Sequence, residues 1–173
     1  MRRALLALAA TLALAACHPP AKATNAAQEP ATAGKPAPDS QAFLDKAAKE
    51  PGVRTLPSGL MYKVVRSGPA SGVKPQLGDE VKVNYEGKLV NGQVFDSTYE
   101  RGAPAAMPLA HLVPAWMEAL PLMRPGDEWV LYVPPKLGYG DQGAGGVIPP
   151  GAALIFRIEL IDVLPAPGRV RNG

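Results

Sequence analysis

The sequence is poor in the residues that carry out covalent catalysis. Cys17 is the only cysteine among 173 residues, so no disulfide bond can form within the chain. Histidine occurs only at positions 18 and 111, and no Ser/His/Asp or Cys/His arrangement is evident. We therefore expect no nucleophilic mechanism, no metal site and no cofactor.

An excess of charge of one sign is also missing. The formal net charge is +3, and it falls to +1 without Arg2 and Arg3, which lie in a segment that we expect to be removed. No basic stripe with interleaved aromatic residues is present. The composition therefore argues against nucleic acid as a partner.

Only one long hydrophobic run is present, and it lies at the N-terminus. Residues 4–16 are alanine and leucine with one threonine, and they follow Met1-Arg2-Arg3. This run is too short to span a bilayer as a mature helix and is typical of a signal peptide. We therefore assign residues 1–16 as a signal peptide.

The residues at the end of this run resemble the lipobox of bacterial lipoproteins, Leu14-Ala15-Ala16-Cys17. The resemblance implies lipidation of Cys17; the alternatives are an ordinary signal peptide with an incidental cysteine, or a structural thiol. Lipidation would hold the chain on the periplasmic side of the bacterial cell envelope, with the lipid anchor as its only membrane contact. By resemblance to enterobacterial sorting, His18 in place of aspartate favours the outer membrane.

Composition divides the remaining chain into four parts. Residues 17–39 are rich in Ala, Pro and Lys without apolar periodicity, which indicates a disordered tether. Residues 40–51 favour a short helix, capped by Asp39 or Ser40, with Phe43, Leu44 and Ala47 on one face. Residues 52–165 form the main domain, and residues 166–173 are a disordered tail.

The main domain has the apolar period of two that is typical of half-buried antiparallel strands. Alternation begins with Leu60, Tyr62 and Val64 and continues through residues 81–85, 129–133 and 154–161. Asn91-Gly92 between apolar pairs predicts a hairpin. Only one helix, residues 114–120, fits among these strands, because Pro114 suits a first turn and Pro121 ends it. The sequence thus predicts an α+β domain, an antiparallel sheet wrapped around one short helix.

The glycine-rich stretch at residues 138–143, GYGDQG, matches the G-x-G-x-x-G pattern of dinucleotide-binding loops. Such a loop must open a helix whose N-terminus holds the pyrophosphate. Here the next eight residues include two prolines and three glycines, so no helix follows. The glycines instead indicate a long irregular loop between two strands, and loops of this length are usually functional.

Six stretches of the main domain resemble the FKBP-type peptidyl-prolyl cis-trans isomerases, in the family's order and spacing. They are Tyr85-Glu86-Gly87, residues 92–98, residues 112–116, residues 137–140, residues 146–150 and residues 154–160. The resemblance covers residues 59–163. It implies the fold of that family, with an aromatic pocket between the sheet and the helix.

The resemblance also implies the residues of the pocket. Those matching catalytic positions are Tyr85, Phe95, Asp96, Trp116, Tyr139 and Phe156, and those matching substrate-binding positions are Met107, Leu112, Val113 and Ile148. By this match Trp116 forms the floor. We expect His111, which the match does not assign, to be a solvated rim residue. Without the match, Trp116, Phe95 and Phe156 are better explained as core residues and Asp96 as a turn residue.

The function implied is acceleration of Xaa-Pro rotation in folding proteins of the bacterial envelope. Unfolded or proline-containing polypeptides are the expected partners, and macrolides the expected inhibitors. The alternatives are a non-catalytic or weakly catalytic chaperone using the same pocket, or a structural lipoprotein. The sequence departs from the family at Met107, where phenylalanine is usual, and at Ala115, where glycine is usual; we expect the Ala115 methyl to lie next to the pocket.

Overall fold

The computed structural model describes residues 38–168. The predicted signal peptide, Cys17, nearly all of the predicted tether and the last five residues lie outside this range. The elements in chain order are α1 (Pro38–Ala47), β1 (Val53–Thr55), β2 (Met61–Arg66), β3 (Glu80–Leu89), β4 (Val94–Ser97), α2 (Thr98–Arg101), β5 (Ala105–Pro108), α3 (Pro114–Ala119), β6 (Glu128–Val133) and β7 (Leu154–Leu164).

The seven strands form one sheet in which every pairing is antiparallel, and the predicted α+β fold is confirmed. The strand order is β1-β2-β6-β7-β3-β4, and β5 pairs with the first half of β3. The β3–β4 hairpin turns at Asn91-Gly92 as predicted, with Gly92 at a φ of 88° and its N–H donating to the carbonyl of Leu89. Strand β7 pairs with both β6 and β3 at the centre of the sheet.

The main core lies between α3 and one face of the sheet. Alternate residues of the central strands enter this core, among them Val83 on β3, Leu131 on β6 and Ile158 on β7, and all three are fully buried. Helix α3 contributes Trp116 and Ala119 from its inner side. This packing places the ends of β3, β4 and β7 beside the helix, where the candidate site is found.

A smaller second core lies on the opposite face of the sheet, under α1. Leu44 and Ala47 pack there against Met61, Tyr132 and Ala153, with Phe43 partly buried beside them. The predicted apolar face of α1 is therefore the face that packs against the sheet. Since isolated helices of this length are marginal, packing against the sheet is what stabilises α1.

The bounds and capping of α1 differ from the prediction. The helix begins at Pro38 and ends at Ala47, whereas the sequence predicted residues 40–51. Ser40 is not a cap, because its buried hydroxyl oxygen accepts a hydrogen bond from the N–H of Ala153, 2.9 Å away. Beyond the helix, Glu50 accepts a hydrogen bond from the Tyr132 hydroxyl over 3.1 Å.

Two expectations about the sheet were wrong. Strand β6 is buried on both faces, because Leu131 and Val133 enter the main core while Tyr132 lies under α1. On β2, Val64 is 37% exposed instead of sharing a buried face with Leu60. The prediction of a single internal helix is also wrong, since α2 follows β4 directly.

Candidate functional site

A cavity of about 230 Å³ opens between α3 and the sheet, and it is lined mainly by residues that the sequence singled out. The lining residues, here called the aromatic pocket, are Tyr85, Phe95, Asp96, Met107, His111, Leu112, Val113, Trp116, Tyr139 and Phe156. His111 lies exposed at this pocket, in keeping with its predicted rim position. The catalytic and binding roles assigned to these residues remain predictions.

Three edge-to-face ring contacts build the base of the aromatic pocket. The Trp116 ring lies 5.0 Å from that of Tyr85 and 5.4 Å from that of Phe156, at 84° and 85°. Phe95 meets Phe156 at 5.6 Å and 88°. Such perpendicular pairs are favoured by the ring quadrupoles, so these contacts fix the orientation of the four rings. The rings of Tyr85, Phe95 and Phe156 lie on β3, β4 and β7, and the ring of Trp116 lies on α3.

The main polar groups at the pocket are Asp96 and the two side chains that donate hydrogen bonds to it. The Tyr85 hydroxyl donates to one carboxylate oxygen of Asp96, and the Arg101 guanidinium donates to the other. Arg101 also donates to the Tyr85 hydroxyl over 3.0 Å, and its guanidinium lies 5.5 Å from the centre of the Tyr85 ring. The carboxylate at the pocket edge is therefore held in one orientation by two donors.

The net effect of burial and these contacts is to lower the pKa of Asp96 and to raise that of Tyr85. Burial opposes ionisation of Asp96, but the hydrogen bonds from Tyr85 and Arg101 and the charge of Arg101 outweigh it and hold its pKa below the ordinary value of 3.8. Burial, with the hydrogen bond to Asp96, raises the pKa of Tyr85 above 10.0. Near neutral pH the carboxylate is therefore charged, and the phenol keeps its proton.

The part played by Arg101 was missed, because no motif in the sequence singles this residue out. Helix α2 presents it: Ser97 caps this helix by accepting a hydrogen bond from the Glu100 N–H, and Gly102 ends it at a φ of 71°. A signal for this helix was present, since Ser-x-x-Glu is the pattern of a capping box. Four residues were too few to establish the helix from periodicity.

Tyr139 comes from the glycine-rich loop that the sequence separated from dinucleotide sites. The loop between β6 and β7 contains two short 3-10 turns and no α-helix, and the N–H of Gly151 donates to the carbonyl of Gly140. Tyr139 is 37% exposed at the pocket. Burial, and then the charge of Asp96, raise the pKa of Tyr139 above 10.0, so its hydroxyl stays a donor at neutral pH.

Two residues lie elsewhere than predicted. Ile148 is buried in the main core and is absent from the pocket lining, while its backbone pairs with Ala144. The Ala115 methyl is also fully buried in the core rather than next to the pocket, so this departure does not alter the pocket lining. Met107 on β5 does line the pocket and supplies a flexible thioether wall.

Residues 38–168 lack the features of two other kinds of site. No group of three or more His, Cys, Asp or Glu residues within this range is arranged to hold a metal ion. None of the helices in the same range is long and apolar enough to cross a membrane.

Comparison with family models gives two matches. Residues 71–161 match the model of the FKBP-type peptidyl-prolyl cis-trans isomerases. Residues 7–64 match the model of the domain amino-terminal to such isomerases. The second match includes residues that the sequence assigned to the signal peptide and tether, together with α1, β1 and part of β2.

Individual relatives and solved structures agree with the family models. The peptidyl-prolyl cis-trans isomerase Mip of Coxiella burnetii is 56% identical over 124 residues, which are 72% of this chain and 53% of that protein. The outer membrane protein MIP of Legionella longbeachae is 46% identical over 125 residues, 72% of this chain and 53% of that protein. This chain spans about half the length of the curated relatives it matches.

Two crystal structures are similar to this chain in fold as well as in sequence. FkpA from Escherichia coli superimposes with a TM-score of 0.70 at 43% identity, over 74% of this chain and 59% of that one. A peptidyl-prolyl cis-trans isomerase from Pseudomonas syringae superimposes with a TM-score of 0.68 at 33% identity, over 76% of this chain and all of that one.

Proposed function

The chain belongs to the FKBP-type peptidyl-prolyl cis-trans isomerases, and we propose that its aromatic pocket accelerates rotation about Xaa-Pro bonds in polypeptides. The observation that carries this proposal is the arrangement of the four rings of Tyr85, Phe95, Trp116 and Phe156 around a cavity of about 230 Å³. We propose that the prolyl ring binds in this cavity. No bond is broken in this reaction, so a shaped apolar cavity with a few fixed polar groups is sufficient.

The barrier to be lowered is that of the amide bond itself. Rotation about a peptide bond must cross about 18–20 kcal/mol, and unaided proline isomerisation takes roughly 10–100 s. A twisted amide loses its resonance and much of its dipole. An apolar pocket favours this less polar form over the planar amide, which water stabilises. A millionfold acceleration requires about 8 kcal/mol of this preference.

The polar groups of the pocket are suited to orienting the peptide rather than to transferring protons. Asp96 is ionised and already accepts hydrogen bonds from Tyr85 and Arg101. Tyr139 retains its hydroxyl proton and can donate to a substrate carbonyl. The N–H of Val113, just before α3, can donate to a second carbonyl. We infer that these groups hold the chain on both sides of the proline while its amide turns.

The sequence and the relatives support a proposal for the site of action and the partners. The Legionella relative is named an outer membrane protein, and we propose that this chain also acts in the cell envelope, on the periplasmic side. We further propose that Cys17 carries the lipid that anchors it, and that residues 18–39 tether residues 52–165 to that lipid. The substrates would be unfolded or proline-containing polypeptides, and a macrolide would compete for the aromatic pocket.

The proposed function is tested by isomerisation of a Leu-Pro tetrapeptide with the full chain, beside Phe156→Leu and the matched variant Phe43→Leu. Phe43 is also an aromatic residue in a packed cluster, partly buried, but it contacts Tyr132 on the opposite face of the sheet. We expect clear acceleration by the parent, at least a tenfold loss of kcat/KM in Phe156→Leu, and a loss under twofold in Phe43→Leu. A folded parent chain that does not accelerate isomerisation would refute the proposal and leave a non-catalytic binding module.

A further inference from the structure

Helix α2 carries a buried hydroxyl close to the aromatic pocket but outside its lining. Thr98 is the buried residue of α2, at 1% exposure, whereas the other three residues of the helix are exposed. Thr98 follows β4 directly and lies three residues before Arg101, so the two side chains share one side of the helix. Both side chains contact Tyr85 on β3 through hydrogen bonds.

Strand β3 has a gap in its pairing at Tyr85. On one edge, β3 pairs with β5 up to Val83 and with β4 from Glu86 onward, while β7 runs along the other edge. Among the described residues, no strand therefore lies beside Asn84 and Tyr85 on the first edge. Buried backbone N–H and C=O groups are nearly always paired, so those of Tyr85 need partners from another element.

The Thr98 hydroxyl supplies these partners. Its oxygen accepts a hydrogen bond from the N–H of Tyr85 over 2.8 Å. Its proton has two acceptors within reach, the carbonyl oxygen of Tyr85 at 3.2 Å and the side-chain oxygen of Asn84 at 3.4 Å. One hydroxyl thus takes the place of a strand residue and holds the backbone of β3 at Tyr85.

Tyr85 is consequently held at both ends by one turn of helix. Thr98 fixes its backbone, and Arg101 donates to its hydroxyl over 3.0 Å. Between these two points the Tyr85 ring lies 5.0 Å from the ring of Trp116. The Tyr85 hydroxyl, which donates to Asp96, is therefore placed by a side chain that does not line the pocket.

We propose that Thr98 is a positioning residue for isomerisation: its hydroxyl holds Tyr85, and through Tyr85 it orients the Asp96 carboxylate at the pocket edge. This inference rests on the proposed function and deepens it, because it adds a residue that acts on the reaction without touching the substrate. A Thr98 hydroxyl that only stabilised the fold would affect unfolding and leave the polar groups of the pocket unchanged.

The test uses the full chain and three variants. Thr98→Val keeps the branched shape and removes the hydroxyl, which leaves the buried N–H of Tyr85 without its acceptor. Thr98→Ser keeps the hydroxyl. Ser40→Ala is the matched control, because Ser40 is also 1% exposed and also accepts from a buried backbone N–H, that of Ala153 over 2.9 Å, but lies under α1 on the opposite face of the sheet.

Each variant is assayed with a Leu-Pro tetrapeptide and by urea unfolding. We expect Thr98→Val to lower kcat about tenfold and to leave KM within about twofold, because the displaced polar groups act while the amide turns and the Phe95 and Phe156 walls remain. Thr98→Ser should keep most of the parental kcat. Ser40→Ala should lose stability with no loss of kcat. If Thr98→Val and Ser40→Ala lose stability alike and neither loses kcat, Thr98 serves the fold alone and the inference is wrong.

A second measurement needs no substrate. Burial opposes ionisation of Asp96, and the hydrogen bond from Tyr85 is first among the contacts that lower its pKa. Thr98→Val should therefore raise the pKa of Asp96 toward its ordinary value, as followed by NMR titration of the side-chain carboxyl carbon, and Ser40→Ala should leave it unchanged.

The two measurements separate failure of the inference from failure of the proposed function. A folded parent chain that does not accelerate the tetrapeptide refutes the proposed function, but the titration still reports whether Thr98 places Tyr85 against Asp96. An Asp96 pKa that is the same in Thr98→Val and in the parent overturns the inference. If Thr98→Val does not fold, Thr98→Ala replaces it, and failure of both to fold also counts against a role in positioning, because the hydroxyl is then a requirement of the fold.

Discussion

Gly87→Ala offers a sharp test of how the wall of the aromatic pocket is built. Gly87 is buried on β3, paired with Asp96 on β4 and Phe156 on β7. An added Cβ would lie 2.6 Å from two ring carbons of Phe95 and 3.0 Å from one of Phe156. Carbon atoms pack best at about 3.5–4.0 Å, so the Phe95 ring must move by about 1 Å.

The two rings differ in their freedom to move. Phe156 is 3% exposed and lies against Trp116, whereas Phe95 is only partly buried. The Phe95 ring will therefore be the one that moves, and its displacement changes the side of the pocket that faces the prolyl ring. A displacement of about 1 Å at a reacting site lowers the reaction rate by up to about a hundredfold. We therefore expect kcat/KM for the tetrapeptide to fall about ten- to a hundredfold. Overpacking should destabilise the fold by about 1–3 kcal/mol.

The assay combines tetrapeptide isomerisation with urea unfolding, and Gly78→Ala is the matched control. A Cβ at Gly78 meets only the Ala166 Cβ at 3.8 Å, an ordinary contact. Activity is measured at a temperature where both variants are folded by circular dichroism. If Gly87→Ala retains parental kcat/KM, or loses no more than Gly78→Ala, the rings are not the wall that orients the proline.

Three further outcomes are expected. Because the pKa of Asp96 lies below 3.8, the stabilising contacts of its charged form are present above that pH and are lost as the pH falls through the lowered pKa. The value of kcat/KM should therefore be flat from about pH 5 to about pH 9, and a step in kcat/KM near neutral pH would contradict this. Ser40→Ala leaves the buried N–H of Ala153 without its acceptor and should lower the free energy of unfolding in urea by about 1–3 kcal/mol with tetrapeptide activity unchanged. Met107→Phe replaces a flexible wall with a rigid ring and should lower KM by about two- to fivefold; an unchanged KM would show that β5 does not touch the substrate.

Much of the sheet could be predicted because its signals are local. The Asn91-Gly92 turn, the alternation along β7 and the proline at the start of α3 each need only a few neighbouring residues. The missed elements, β1, β5 and α2, have three or four residues each, and they exist through pairing or capping that no periodicity reveals. The double burial of β6 could not be seen either, because it depends on α1 packing from a distant part of the chain.

The candidate site could be predicted from the resemblance of its motifs to a known family, but not from the chemical types of its residues alone. Motif order brought together residues from β3, β4, α3 and the glycine-rich loop, and nine of the ten pocket residues so named line one cavity. Ile148 was the exception, because a motif position does not tell whether a side chain faces a cavity or the core. Arg101 was missed because its contacts depend on the direction in which the short helix α2 presents it.

The fastening of α1 has a mechanical consequence. A pull on the chain at Pro38 would pass through α1 to Ala153, just before β7, and to Tyr132 on β6. These two strands are hydrogen-bonded along six residue pairs, which would be loaded together. The rings of the aromatic pocket stand on the other face of the sheet. Tension on the N-terminal segment would thus be carried by the back of the sheet, and the shape of the pocket would be insulated from it.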